Sequence, residues 1–176
     1  MSVARARFDF FIRPVDWLSG LANTLAALCL FGIFLLVGAE IVMRNVFLAS
    51  LDFSWDVSAY LMGAAFMLSA ASALKNGSHV RVTALREVLP ARAALGLDAA
   101  ACLVGLVIAV MLTWALGQSA WLSFLRGSTS SSVVRIPLVW PQSVLALGAG
   151  LLSLQMLAQL LRVTRGEDLP TGEGIE

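Results

Sequence analysis

The chain has 176 residues, 59% of them hydrophobic and 13% charged, with a formal net charge of +1. Soluble domains are roughly 45–50% apolar and about 25% charged, and a mean hydropathy of +0.87 would leave a water-soluble fold of this size with large exposed apolar patches. That balance excludes a disordered tail, a nucleic-acid binder and most soluble enzymes, and points to a small integral membrane protein.

Charge is absent from four runs: residues 17–39, 57–74, 99–125 and 136–161. A helix rises 1.5 Å per residue and a bilayer core is about 30 Å thick, so roughly 20 apolar residues span it. Each run is of that order. None alternates with period 2, which excludes a β-barrel reading. The runs predict an all-α membrane protein with four transmembrane helices, over about 17–43, 55–75, 97–125 and 136–162, in a single membrane domain covering 1–176.

The first run follows Arg5, Arg7 and Arg13 but is longer than a signal-peptide core, so a retained helix is expected. At its far end Glu40 precedes Arg44 by four residues, the favoured order for an ion pair within a helix. Arg44 has a second option, Asp56 or a partner's acid across the loop. Helix 2 is introduced by Ser54-Trp55-Asp56, whose short polar side chains suit a helix start. It is rich in Ala, Gly and Ser, which permits close helix contact, either internal or with a second chain. After it, Val82, Leu85 and Leu89 recur at spacings of three and four up to Pro90. That predicts a short amphipathic interfacial helix between helices 2 and 3. His79 there reads as a turn or interface residue. The loop 126–137 is expected to be flexible at its start, then to stiffen where Pro137 enters the first turn of helix 4. The tail 166–176 is acidic and rich in Pro and Gly, and is expected to be solvated and mobile.

Lys and Arg favour the cytoplasmic side of a membrane. The two termini and the middle loop carry nine of them and the other two loops three. Both termini are therefore expected in the cytoplasm. Trp17 at one level, with Trp55, Trp121 and Trp140 at the other, agree with two interfaces.

Little in the runs resembles reactive chemistry. Their polar residues, including Thr113, Gln118, Gln155 and Gln159, read as ordinary contacts between helices. One histidine excludes a bis-His haem site, and Cys29 and Cys102 in apolar runs fit neither a disulfide framework nor a zinc site. No catalytic, cofactor or metal site is expected.

Three segments stand in a recognisable order: Arg44-Asn45-Val46-Phe47, then Phe53-Ser54-Trp55-Asp56 with Tyr60-Leu61, then Gly77-Ser78-His79-Val80-Arg81-Val82. Arg135-Ile136-Pro137-Leu138 with Trp140 follows before helix 4. On a four-helix pattern this resembles the DctQ-like small membrane subunit of tripartite ATP-independent periplasmic (TRAP) transporters, over about residues 15–165. Two departures stand out: Asp56 has Trp55 beside it where such chains often carry a second acid, and no proline occupies Ser50-Leu51-Asp52. The resemblance implies a bacterial inner-membrane scaffold. It would work with a large multi-helix TRAP subunit and a periplasmic solute-binding protein in sodium-coupled uptake, typically of an organic acid. Arg44, Asp56, Tyr60, His79, Arg81 and Arg135 are the expected contact or positioning residues. The competing reading is a homo-oligomeric pore or small transporter, which needs a polar stripe along a membrane helix.

Overall fold

A computed structural model describes residues 2–77, 90–132 and 134–164, without the side chains of 2–11, 91 and 92. It contains four helices: α1 (Ser2–Val46), α2 (Ser54–Lys75), α3 (Ala91–Arg126) and α4 (Val139–Thr164). Each includes a segment long and apolar enough to cross a bilayer. The expected all-α membrane fold is the one observed. Among the described residues there is no strand, only an isolated bridge between Thr129 and Pro137.

The helices alternate in direction. α2 and α4 lie in the middle, α1 packs along α2 and partly on α4, and α3 packs against the other side of α4. One end of the molecule gathers Ile12, Lys75 and Thr164 and is called the terminal end here. The other carries the loops 47–53 and 127–138 and is called the loop end.

Packing is inverted relative to a soluble protein. The buried positions are mostly small: Ala22, Ala26, Ala64, Ala65, Ala71, Ala109, Ala149 and Ala158. Leu, Phe and Trp point outward from all four helices. Lipid is as apolar as leucine, so burying a large side chain gains little over leaving it in the bilayer. Helices in lipid instead approach closely through small residues and gain dispersion contact. Along α1, Ile12, Val15, Ser19, Ala22 and Ala26 are buried, and Cys29, Ile33, Leu36, Glu40 and Met43 continue the stripe half-buried. The alternating three–four spacing is that of a left-handed helix pair. At the α2–α4 contact a Cβ on Gly148 would stand 2.8 Å from the Met67 backbone, so only glycine permits this approach.

Ala64, Ala65, Ala71 and Ser72 of α2 are thereby covered by its own neighbours. Its free face carries Trp55, Ala59, Met62 and Phe66. Internal packing accounts for these four buried small residues, while Ala59 faces outward.

Several boundaries differ from expectation. α1 begins at Ser2 rather than 17, α3 at Ala91 rather than 97, and α4 at Val139 rather than 136. Charge-free runs measure the hydrocarbon crossing, whereas backbone hydrogen bonding continues through charged residues in water. No side chain caps α2; Phe53 occupies the cap and Ser54 is buried inside the helix. Pro137 stands before α4, and Pro141 takes the place in its first turn. The loop 127–138 is not loose at its start. Gly127 ends α3 with φ of 59°, Ser128 N donates to Ser123 O, and Leu138 N donates to Ser128 O at 3.0 Å. Ser130 closes the turn from both its backbone and its hydroxyl, and the serines that suggested flexibility are the groups that order it. The interfacial helix expected within 78–89, with His79 and Arg81, and the tail 166–176 lie outside the described residues.

Candidate functional site

At the loop end, α1 runs past the start of α2 and the chain turns back through Leu48. That residue has φ of 50° and is 91% exposed. A left-handed leucine costs about 1–2 kcal/mol, so something must hold the turn. Glu40 does so. Its Oε2 accepts from Leu51 N at 2.8 Å, and its Oε1 accepts from Ser50 Oγ at 2.7 Å and Arg44 Nη2 at 2.9 Å. Arg44 also donates to Ser50 Oγ at 3.3 Å. Of the two options for Arg44, the local pair with Glu40 is the one observed, and Asp56 is not its partner. Glu40 organises the loop, a role beyond that of counter-ion to Arg44.

Asp56 stands in the first turn of α2, where the helix dipole favours an acid. Its Oδ2 is buried and accepts no hydrogen bond. Tyr60, one turn on, is half-buried. In the first turn of α4, Gln142 Oε1 is buried and likewise without a donor. Arg135 is exposed in the 127–138 turn with φ of 36°, its backbone N–H donating to Ser132 O. A non-glycine residue in that region stores strain of about 1–3 kcal/mol, which the surrounding turn sustains.

The terminal end holds a second group. Asp16 Oδ2 accepts from Arg162 Nη2 at 2.7 Å and Asp16 Oδ1 from Gln155 Nε2 at 3.2 Å. Ser19 Oγ donates to Gln155 Oε1 at 3.2 Å and also reaches Val15 O. Gln159 Nε2 reaches Leu74 O at 3.4 Å, and Lys75 Nζ lies 3.5 Å from the backbone oxygen of Asp16. Ser19, Gln155 and Gln159 are fully buried. This network ties α1, α2 and α4 together. Sequence reasoning missed it by treating Asp16 as the border of a run and the glutamines as generic polar contacts. The signal was there: Gln155, Gln159 and Arg162 follow one another by four and three, hence share a face.

A third polar contact lies between α3 and α4, where the hydroxyls of Thr113 and Ser153 are 3.0 Å apart. On the outside of α1 an open apolar groove of about 500 Å³ is lined by Phe34, Leu35, Gly38, Ala39, Val42 and Met43. It presents no polar group for a solute. Among the described residues no three His, Cys, Asp or Glu side chains converge on one point. The arrangement is one of helix ties and exposed apolar walls. It leaves Asp56 in the first turn of α2 and Gln142 in the first turn of α4, both at the loop end, and it keeps Arg44 with Glu40.

Residues 33–166 match the family model of the DctQ component of tripartite ATP-independent periplasmic transporters. No curated protein matches the chain. The match takes in all of α2, α3 and α4 and the part of α1 from Ile33 onward, and it leaves Asp16 and Ser19 outside. With four spanning helices and a family match over most of its length, the chain belongs to the DctQ family, the small membrane subunits of TRAP transporters.

Proposed function

We propose that this chain braces the large multi-helix membrane subunit of its transporter and helps seat a periplasmic solute-binding protein during sodium-driven uptake of an organic acid. In this reading it is a multi-pass protein of the bacterial inner membrane, with its terminal end in the cytoplasm and its loop end facing the periplasm. Arg44, Asp56, Tyr60 and Arg135 serve at the loop end, and His79 and Arg81 in the middle loop, as contact or positioning residues.

The supporting observation is where polar side chains go within the spans. Gln155 and Gln159 are fully buried in ties to α1 and α2, and Thr113 meets Ser153 between α3 and α4. Of Thr113, Gln118, Gln155 and Gln159, the polar residues that helices 3 and 4 offer to a self-assembled pore, three are thus turned into the chain's own contacts. Large apolar side chains cover the outside. Among the described residues such a body has walls for lipid and protein but no polar stripe along a span.

Purifying the tagged chain from its native membranes in mild detergent tests the reading. A stoichiometric larger membrane protein is the expected companion. Recovery of a ring made only of this chain would contradict it and favour the pore.

A further inference from the structure

We propose that Asp56 and Gln142, at the loop end of the α2–α4 seam, receive a basic side chain, an arginine or lysine, from the large membrane subunit. This rests on the scaffold reading above and specifies the chemistry of its contact.

The acids that flank the spans of α1 and α2 are treated unequally. Asp16 has Arg162 and Gln155, and Glu40 has Arg44, Ser50 and the Leu51 N–H. Among the described residues Asp56 has no ion pair and no side-chain hydrogen bond, and one of its oxygens is buried. Among the same residues Gln142 makes no side-chain hydrogen bond either, and its oxygen is also buried. Two oxygens cannot bond each other, and the Gln142 amide nitrogen, the one donor in the pair, makes no hydrogen bond to Asp56. Buried polar atoms nearly always have a partner; the third orphan, Gln159 Oε1, is wholly enclosed at the terminal end, whereas Asp56 and Gln142 are half-buried and can be reached from outside.

The two residues lie one helical turn apart. α2 and α4 run parallel, with Gly63 facing Leu145 and Met67 facing Gly148. The same spacing sets Gln142 beside Tyr60, one turn from Asp56; both side chains lean toward the loop end, and the longer glutamine spans part of that turn. Depth selects the kind of partner. On α1, Glu40 is level with Leu51 and Gly32 with Leu61, so Asp56 is about one turn, roughly 5 Å, to the bilayer side of Glu40. A group reaching it comes from a chain lying beside the helices at the interface rather than from a protein resting on the loops. The α2 dipole eases the charge of Asp56 but provides no donor to Oδ2. Water would provide a donor but leave the charge, whereas an ammonium or guanidinium meets both needs and bridges to the Gln142 oxygen.

The test compares Asp56→Asn, Gln142→Leu and Asp16→Asn, each as the isolated chain and in complex with the large subunit. Asp56→Asn should leave the melting temperature of the isolated chain unchanged and weaken the complex by about 30-fold, as loss of one member of a buried charge pair does. Asp56→Glu should recover most of the binding, and Gln142→Leu should weaken it less than Asp56→Asn. Asp16→Asn should do the reverse, lowering the melting temperature of the isolated chain. Complex formation by Asp56→Asn at wild-type strength overturns the inference and leaves the scaffold reading standing. So does a loss of stability in the isolated Asp56→Asn chain matching that of Asp16→Asn. If the wild-type chain brings down no large subunit, both readings fall.

Discussion

At the residue scale the fold depends on few polar groups, and their value follows from what they leave behind when removed. The Asp16–Arg162 pair is mostly shielded, with side chains 22% and 15% exposed. Asp16 also takes the amide of Gln155, whose own oxygen is held by the buried Ser19. Asp16→Ala strands a guanidinium and an amide together, so it should destabilise the chain by about 1–3 kcal/mol, more than a lone hydrogen bond between membrane helices. Arg162→Ala should cost a similar amount. The double variant should fall well short of the sum, since both remove one interaction. Unfolding in mixed detergent micelles reads all three, and simple additivity would show that the pair is not coupled. Glu40 differs in kind. It is linked to the chain beyond the turn, through Ser50 and Leu51, and what it holds is the shape of the 47–53 loop.

At the element scale, close approach decides stability. Gly148 lies against the Met67 backbone, which cannot move aside, whereas a Cβ on Gly38 would meet nothing within 4 Å. Gly148→Val should push α2 and α4 apart and lower stability by at least about 1–3 kcal/mol, as overpacking does. Gly38→Ala should be neutral, or stabilising by up to about 1 kcal/mol from helix propensity. Gly105→Ala should be milder than Gly148→Val because its neighbour is the flexible end of Met156. Melting curves of the three variants check the order, and equal losses at Gly38 and Gly148 would refute the packing account. These contacts also show why helix faces were hard to read from the sequence. The four spans were legible because charge is expensive in hydrocarbon and runs without it are conspicuous. Which side of α1 packs was not, because every side is apolar; what marks the stripe of Ser19, Ala22, Ala26 and Cys29 is small size. Likewise the paired Glu40–Arg44 followed from spacing alone, but the Asp16 tie joins residues 146 positions apart in the chain and needs the antiparallel register of α1 and α4 to appear.

At the scale of the molecule, the two ends contrast. The terminal end draws three helices together through Asp16, Arg162 and Gln155, while the loop end leaves Asp56 Oδ2 and Gln142 Oε1 without a partner among the described residues and holds Arg135 exposed on a strained turn. Those half-buried groups make the loop end the proposed place of attachment. The proposed sidedness rests on the nine-to-three division of Lys and Arg. A periplasm-only reporter enzyme fused after Ser130 should be active and the same reporter after Asn76 inactive; the opposite pattern would invert the topology. The central claim is that these helices do no transport themselves and lend their surface to a larger chain. Reconstitution in liposomes under an imposed sodium gradient tests it most directly, with the solute-binding protein supplied outside. The chain alone should give no solute or cation uptake above empty vesicles, and uptake should arise only when the large membrane subunit is reconstituted with it. Saturable uptake by the chain alone would contradict the account.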